Sequence, residues 1–229
     1  VKGNGVATLG YSTHIDTKQI KGIKVVWEDS DFVIDESVKL SGSKILFSTK
    51  KGATKGNALI GIYSDEACSE GKCIWSWHIW LTDAVDCQIG GIVFLDRNLG
   101  AYSTTLGASG ENVCFWQWGR KAPIPASMKG MTVCYNKKQS YDFAVANPMT
   151  FLSRNSRWMD VEPAESWRKE GRKTMFDPCP PGYCVPVYED ILSKLSEFEA
   201  VSFTHTNREK NVIADHEANL AINKTLGKA

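Results

Sequence analysis

The sequence contains no apolar run of the roughly 18 residues that a membrane-spanning helix needs. It carries no excess of charge either. Its 27 Lys and Arg face 26 Asp and Glu, a formal net charge of +1. Such a chain makes no general field to draw in nucleic acid or an anionic bilayer, so a partner must be recognised by local contacts. No glycine-rich phosphate cradle, His-Glu zinc motif or nucleophile elbow is present. There is no internal repeat and no low-complexity tract. Histidine is scarce, four in 229 residues. His205 and His216 would be about three turns apart even on one continuous helix, too far to share a ligand. Asp83 and Asp86 offer oxygens to calcium, but calcium takes about six to eight and no dense acidic loop follows. Cys114 and His78 could act together only through an arrangement invisible in sequence. The expectation is a protein that is no enzyme and needs no metal or cofactor. No signal peptide stands at Val1, where the chain begins without Met, so compartment stays open on this ground.

Tryptophan and cysteine, by contrast, are plentiful, with eight and seven copies. Trp serves in cores, at interfaces and as a flat platform for sugar rings. Cys68 and Cys73 bracket Ser-Glu-Gly-Lys, a hairpin tip where Gly71 supplies the turn. Cys179 and Cys184 bracket Pro-Pro-Gly-Tyr at the same separation. Each pair is a disulfide candidate, adding about 2–3 kcal/mol for so short a loop. A four-thiolate zinc site from the two pairs is the rival, with a spacing at the edge of the usual range. The odd count leaves at least one free thiol, acting as a small buried hydrophobe.

Residues 1–100 read as short strands, namely Lys24–Trp27, Phe32–Ile34, Lys44–Phe47, Ala58–Tyr63, Ile74–Thr82 and Gly90–Leu95, separated by turn residues including Gly42, Gly52 and Gly56. That spacing suits a β-sandwich. The run from Ile74 to Thr82 puts Trp75, Trp77 and Ile79 on one face and Ile74, Ser76, His78 and Trp80 on the other. With bulk on both faces, it should be a central strand covered on both sides. The texture changes near residue 100. Phe115–Trp118 reads as a short aromatic strand, Lys121–Pro125 as a stiff loop and Pro163–Lys169 as one or two helical turns. In residues 189–198, Ile191, Leu192, Leu195 and Phe198 share a helical face in a charged tail.

Six segments, in order, carry a resemblance. They are Asn57-Ala-Leu-Ile60, Ile74-Trp-Ser-Trp-His-Ile-Trp80, Phe94-Leu-Asp-Arg-Asn-Leu-Gly-Ala101, Trp116-Gln-Trp-Gly-Arg-Lys-Ala-Pro123, Asn147-Pro-Met-Thr-Phe151 and Lys173-Thr-Met-Phe-Asp-Pro-Cys-Pro-Pro-Gly-Tyr183, the last followed by Val185-Pro186. Over residues 57–188 the chain resembles the Fibrobacter succinogenes major paralogous domain family, as found in fimbrillin-like surface lipoproteins of gut bacteria. The resemblance implies export, a cell-surface or outer-membrane position and a C-type-lectin-like architecture, which formylglycine-generating enzymes also share. Two departures stand out. Cys184 replaces the family's Arg before Val-Pro, and the closing Trp- and Ser-rich strands give way to the charged tail.

The resulting expectation is mainly β with an α+β second half: a fimbrillin-like β-sandwich over residues 1–100, then a lectin-like α+β domain with a helical C-terminal tail over 101–229. The function expected is binding or adhesion, as a pilus-tip or lipoprotein module for a glycan or protein ligand. A structural pilus subunit joined to its neighbours by strand donation is the alternative. An enzyme of the formylglycine-generating architecture, using Cys179 and Cys184 as a redox pair, is the third. Candidate ligand-binding residues are Trp116, Trp118, Trp158 and Trp167, with Arg120 and Arg157 as donors. Trp158 and Trp167, beside Arg157 and Arg168, are expected at the surface. Trp116 and Trp118 are expected in the core, with Arg120 holding a loop carboxylate such as Asp177.

Overall fold

A computed structural model describes residues 2–3, 15–89, 92–105, 108, 110, 113–135, 137–153, 158–159 and 167–186. The helical tail expected over 189–198, Arg157, His205 and His216 all lie outside these residues. The chain divides into a compact unit of residues 1–185 and a second unit of 186–229. The change of texture near residue 100 falls inside the first.

The protein is mainly β. Its centre is a four-stranded antiparallel sheet of β1 (Lys2–Gly3), β2 (Gly22–Glu28), β5 (Gly56–Tyr63) and β6 (Cys73–Leu81), in the order β1-β6-β5-β2. A separate hairpin, β3 (Val33–Ser41) with β4 (Lys44–Thr49), turns at Gly42. Every residue of β5 is buried. Cross-strand partners share a face, so Ala58, Ile60 and Ile62 align with Ile79, Trp77 and Trp75. That face takes Phe32, Val33, Val38, Ile45 and Phe47 from the β3–β4 region. Asn57, Leu59 and Gly61 align with Trp80, His78 and Ser76 on the opposite face. There Leu59 packs with Trp27, Cys114, Ala122 and Trp116. Strand β6 is therefore central and covered on both sides, as its double-sided bulk requires.

Beyond residue 81 the strands are short and paired two by two. They are β7 (Asp86–Ile89) with β8 (Ile92–Leu95), β9 (Cys114–Phe115) with β10 (Ile124–Pro125), β11 (Thr132–Tyr135) parallel to β12 (Thr150–Ser153), and β13 (Arg168–Lys169) with β14 (Arg172–Lys173). The helix α1 (Tyr141–Ala146) starts where the Ser140 hydroxyl accepts from the Phe143 amide and ends at Asn147.

Several expectations change. Gly56 makes no turn but opens β5, and the glycine there gives room to the Phe32 ring, which a Cβ would approach to 2.3 Å. The aromatic strand is only Cys114–Phe115; residues 116–121 leave the ladder. Arg168 and Lys169 form a strand, because Glu170 and Gly171 both take positive φ (49° and 74°), the geometry of a tight hairpin turn.

No disulfide joins the described cysteines. The hairpin-tip pair of Cys68 and Cys73 gives two buried free thiols. Cys68 holds a φ of 51°, and its sulfur lies 2.6 Å from where a Cβ on Gly22 would stand. The Cys73 thiol instead donates along its own strand to the Trp75 carbonyl at 3.3 Å. Cys179 is buried and Cys184 exposed, so that pair does not meet. Among the described residues no cluster of metal-ligating side chains forms, the four-thiolate zinc site included. Asp83 is engaged by Arg97 at 2.7 Å and Asp86 accepts from the Tyr183 hydroxyl, so the two do not converge on calcium.

Candidate functional site: a buried hub around residues 116–121

Trp116, Gln117, Trp118, Gly119, Arg120 and Lys121 form an irregular loop, yet Gln117, Arg120 and Lys121 are about as buried as the core. A loop inside a protein must satisfy its own polar groups and those of its neighbours. Gln117 does this as a surrogate strand residue: its Oε1 accepts from the Leu152 amide at 3.0 Å and its Nε2 donates to the Leu152 carbonyl. Arg120 gathers carbonyls. It donates to Thr150 O at 2.7 Å, Asn147 O at 2.8 Å, Pro148 O at 3.1 Å and Ala144 O at 3.5 Å, and to Gln117 Oε1 at 3.0 Å. These acceptors are the end of α1 and the turn into β12, where helix carbonyls have no partners of their own and a cation is favoured. Lys121 reaches through the sheet face to the Ser76 carbonyl and lies 4.3 Å above the Trp75 ring.

The structure brings five of the six sequence candidates together here, in other roles. Trp158 and Trp167 are buried, 6% and 8% exposed, which overturns their expected surface position. The reason is their indole N–H groups: Trp158 donates to the Trp118 carbonyl at 2.8 Å and Trp167 to the Arg120 carbonyl at 3.1 Å. Trp118 packs against Trp167 with tilted rings whose centroids are 4.7 Å apart, and Trp116 meets His78 edge to face at 5.7 Å. Trp116 and Trp118 are each half-buried. Arg120 holds no carboxylate among the described residues. Asp177 belongs to Lys173, 2.6 Å away.

A second polar network adjoins the hub. Asn57 is fully buried, and its Nδ2 faces Asp29 Oδ2 (3.0 Å), Gly100 O (2.8 Å) and the Tyr102 hydroxyl (3.1 Å). With Nδ2 committed to acceptors, Asn57 Oδ1 must accept, so His78 Nε2, 2.8 Å away, carries the ring proton. Burial holds the His78 imidazole down at about 3. Cys114 lies close by: a Cβ on Gly100 would sit 3.1 Å from its sulfur and 3.2 Å from Asn57 Oδ1. A thiol, an imidazole and an amide thus come near one another. Cys114 nevertheless makes no hydrogen bond to His78, and burial pushes its thiol well above the ordinary range. Each group is held in its neutral form, the opposite of the thiolate–imidazolium pair that a nucleophilic cysteine uses.

The sign of the His78 shift sets a prediction. A neutral buried imidazole contributes stability that is present above about pH 6.5 and is lost as pH falls toward 3, because the unfolded chain takes up the proton first. Between pH 6.5 and 5 the folding free energy should fall by about 2 kcal/mol, and His78→Gln should abolish that slope. Urea titrations of both proteins across this window measure it; equal slopes would show that His78 is not held neutral.

Asn57, Asp29, Gln117 and Lys121 were not anticipated as site residues. The available signal was a polar side chain inside an otherwise apolar segment, such as Asn57 ahead of Ala-Leu-Ile or Gln117 between two tryptophans. Comparison with protein families, characterised proteins and solved structures finds no match. The fold and site define a mainly β protein organised around a buried polar-aromatic loop.

Proposed function

We propose that this chain is an exported binding or adhesion module of the bacterial cell surface that recognises a protein ligand and performs no catalysis. In this reading the central sheet and its covering hairpin are the β-sandwich, and residues 101–185 are a divergent C-type-lectin-like region. The observation that carries the choice of ligand is the β7–β8 ribbon. Val93 and Phe94 are neighbours on β8 and project to opposite faces, yet they are 49% and 37% exposed. The ribbon has two strands, so each keeps an outer edge unpaired in the described sheet. Apolar side chains beside unpaired backbone groups suit an added strand from a partner protein. A glycan platform has less support, since Trp158 and Trp167 lie inside the hub. The same ribbon favours the alternative, a structural pilus subunit, where the added strand comes from a neighbouring subunit.

Labelling of intact cells with a membrane-impermeant reagent should modify the protein. The double variant V93K/F94K should lower cell adhesion or subunit pairing about tenfold or more while leaving the thermal midpoint within about 2 °C, the scale of a surface substitution. Trp118→Ala should leave binding intact. Adhesion that survives V93K/F94K and is lost in Trp118→Ala would reverse the choice in favour of a glycan.

A further inference from the structure

We propose that Arg120 and Lys121 form an internal binding site for one monatomic anion, chloride in ordinary media. Ser76, Arg120, Lys121, Tyr141, Val145 and Phe176 are among the residues lining a small cavity beside the hub. Its volume, about 10 Å³, has room for one small ligand, a water or a single monatomic ion. Sulfate, phosphate and carboxylates are too large. The cavity is lined by two cationic side chains and no carboxylate.

The cations are incompletely satisfied. Lys121 is 3% exposed, and its one hydrogen bond among the described residues goes to the Ser76 carbonyl. An ammonium has three N–H donors, so two lack an oxygen acceptor here. The Trp75 ring face, 4.3 Å away, supplies only a quadrupole. Arg120 is 2% exposed and its Nε–H has no hydrogen-bond partner among the described residues, although its two terminal nitrogens are well used. The acid that acts on Arg120 is Glu70, which lies outside the cavity lining and hydrogen-bonds Thr150 at 3.2 Å. One surface carboxylate therefore stands against two interior cations. Burial drives Lys121 down to about 7.

A buried cation must find an opposite charge or give up its proton. A halide supplies that charge and accepts several N–H donors from any direction. Its other side tolerates the apolar wall of Val145 and Phe176. Water fits the same volume without neutralising anything, so it is the competing occupant.

Thermal midpoints at fixed ionic strength, with chloride exchanged for gluconate, test the site in the intact protein. Gluconate is too large to enter. At a tenfold excess over the dissociation constant, chloride should raise the midpoint by about 3–6 °C. Lys121→Met should remove that difference, which separates site binding from general salt effects. If Lys121→Met does not fold, crystals of the wild-type protein soaked in bromide decide. An anomalous peak in contact with Lys121 Nζ supports the site. Equal midpoints in the two salts, or a water in the cavity with no anomalous peak, would overturn it.

Discussion

Arg120→Met is expected to cost about 5 kcal/mol or more and to leave little folded protein at room temperature. Two effects oppose each other. Removing a buried guanidinium relieves its desolvation, and well-packed apolar replacements of buried charges are often neutral or better. Those favourable cases, however, remove both partners of an ion pair. Here the partners are backbone carbonyls of Ala144, Asn147, Pro148 and Thr150, which stay where they are. An abandoned buried acceptor costs about 1–3 kcal/mol, and the three shortest bonds alone reach several kcal/mol. A domain of this kind has about 5–15 kcal/mol in all. Arg120→Lys should rescue little, because an ammonium is a point donor on a shorter stem and cannot span carbonyls that a planar fork reaches together. Circular dichroism and urea denaturation provide the measurement. A loss below about 1 kcal/mol in Arg120→Met would mean that α1 and β12 are held by apolar packing and that the fork is incidental.

The residues that make Arg120 consequential show what the sequence could and could not reveal. Bulk on both faces of Ile74–Thr82 was enough to place β6 at the sheet centre, because which side chains share a face is a local property of a strand. The strands β2, β4 and β5 were legible for the same reason. The hub was not. Arg157 and Arg168 beside Trp158 and Trp167 suggested exposure, but an indole finds its acceptor wherever the chain brings one, and here the acceptors are carbonyls of residues 118 and 120. Equal spacing in Cys68–Cys73 and Cys179–Cys184 suggested bonds, but spacing fixes neither the direction of Cβ nor the depth of the sulfur. Asn57 is the clearest case. Its place in an apolar strand marked it as unusual, yet Asp29, Gly100 and Tyr102, its partners, come from segments 28, 43 and 45 residues away. Polar networks of this kind are written in tertiary contacts, and period alone cannot disclose them.

The second large effect lies in the proline-rich turn that follows β14. Asp177→Ala should cost about 3–5 kcal/mol, the range for removing one partner of a buried charged pair. Asp177 has no exposed surface. Its Oδ1 accepts from Lys173 Nζ at 2.6 Å and from the Cys179 amide at 2.8 Å, and its Oδ2 accepts from the Val185 amide at 2.9 Å. One carboxylate thus ties a side chain and two backbone amides across a segment whose prolines at 178, 180 and 181 donate no amide hydrogens of their own. Asp177→Asn should be nearly as damaging, because its amide nitrogen would point one donor at another, Lys173 or the Val185 N–H. Lys173→Met should cost less, since both amides keep their acceptor, although the carboxylate is left charged. The local consequence separates this from general loss of stability. Cys179 is buried behind the turn, so its thiol should react with a thiol reagent much faster in Asp177→Ala than in a variant comparably destabilised elsewhere at the same pH, such as Leu59→Ala in the sheet core. If the thiol reacts no faster at matched stability, the turn is held by its prolines and by Tyr183, whose hydroxyl donates to Asp86, and Asp177 is a dispensable anion inside it.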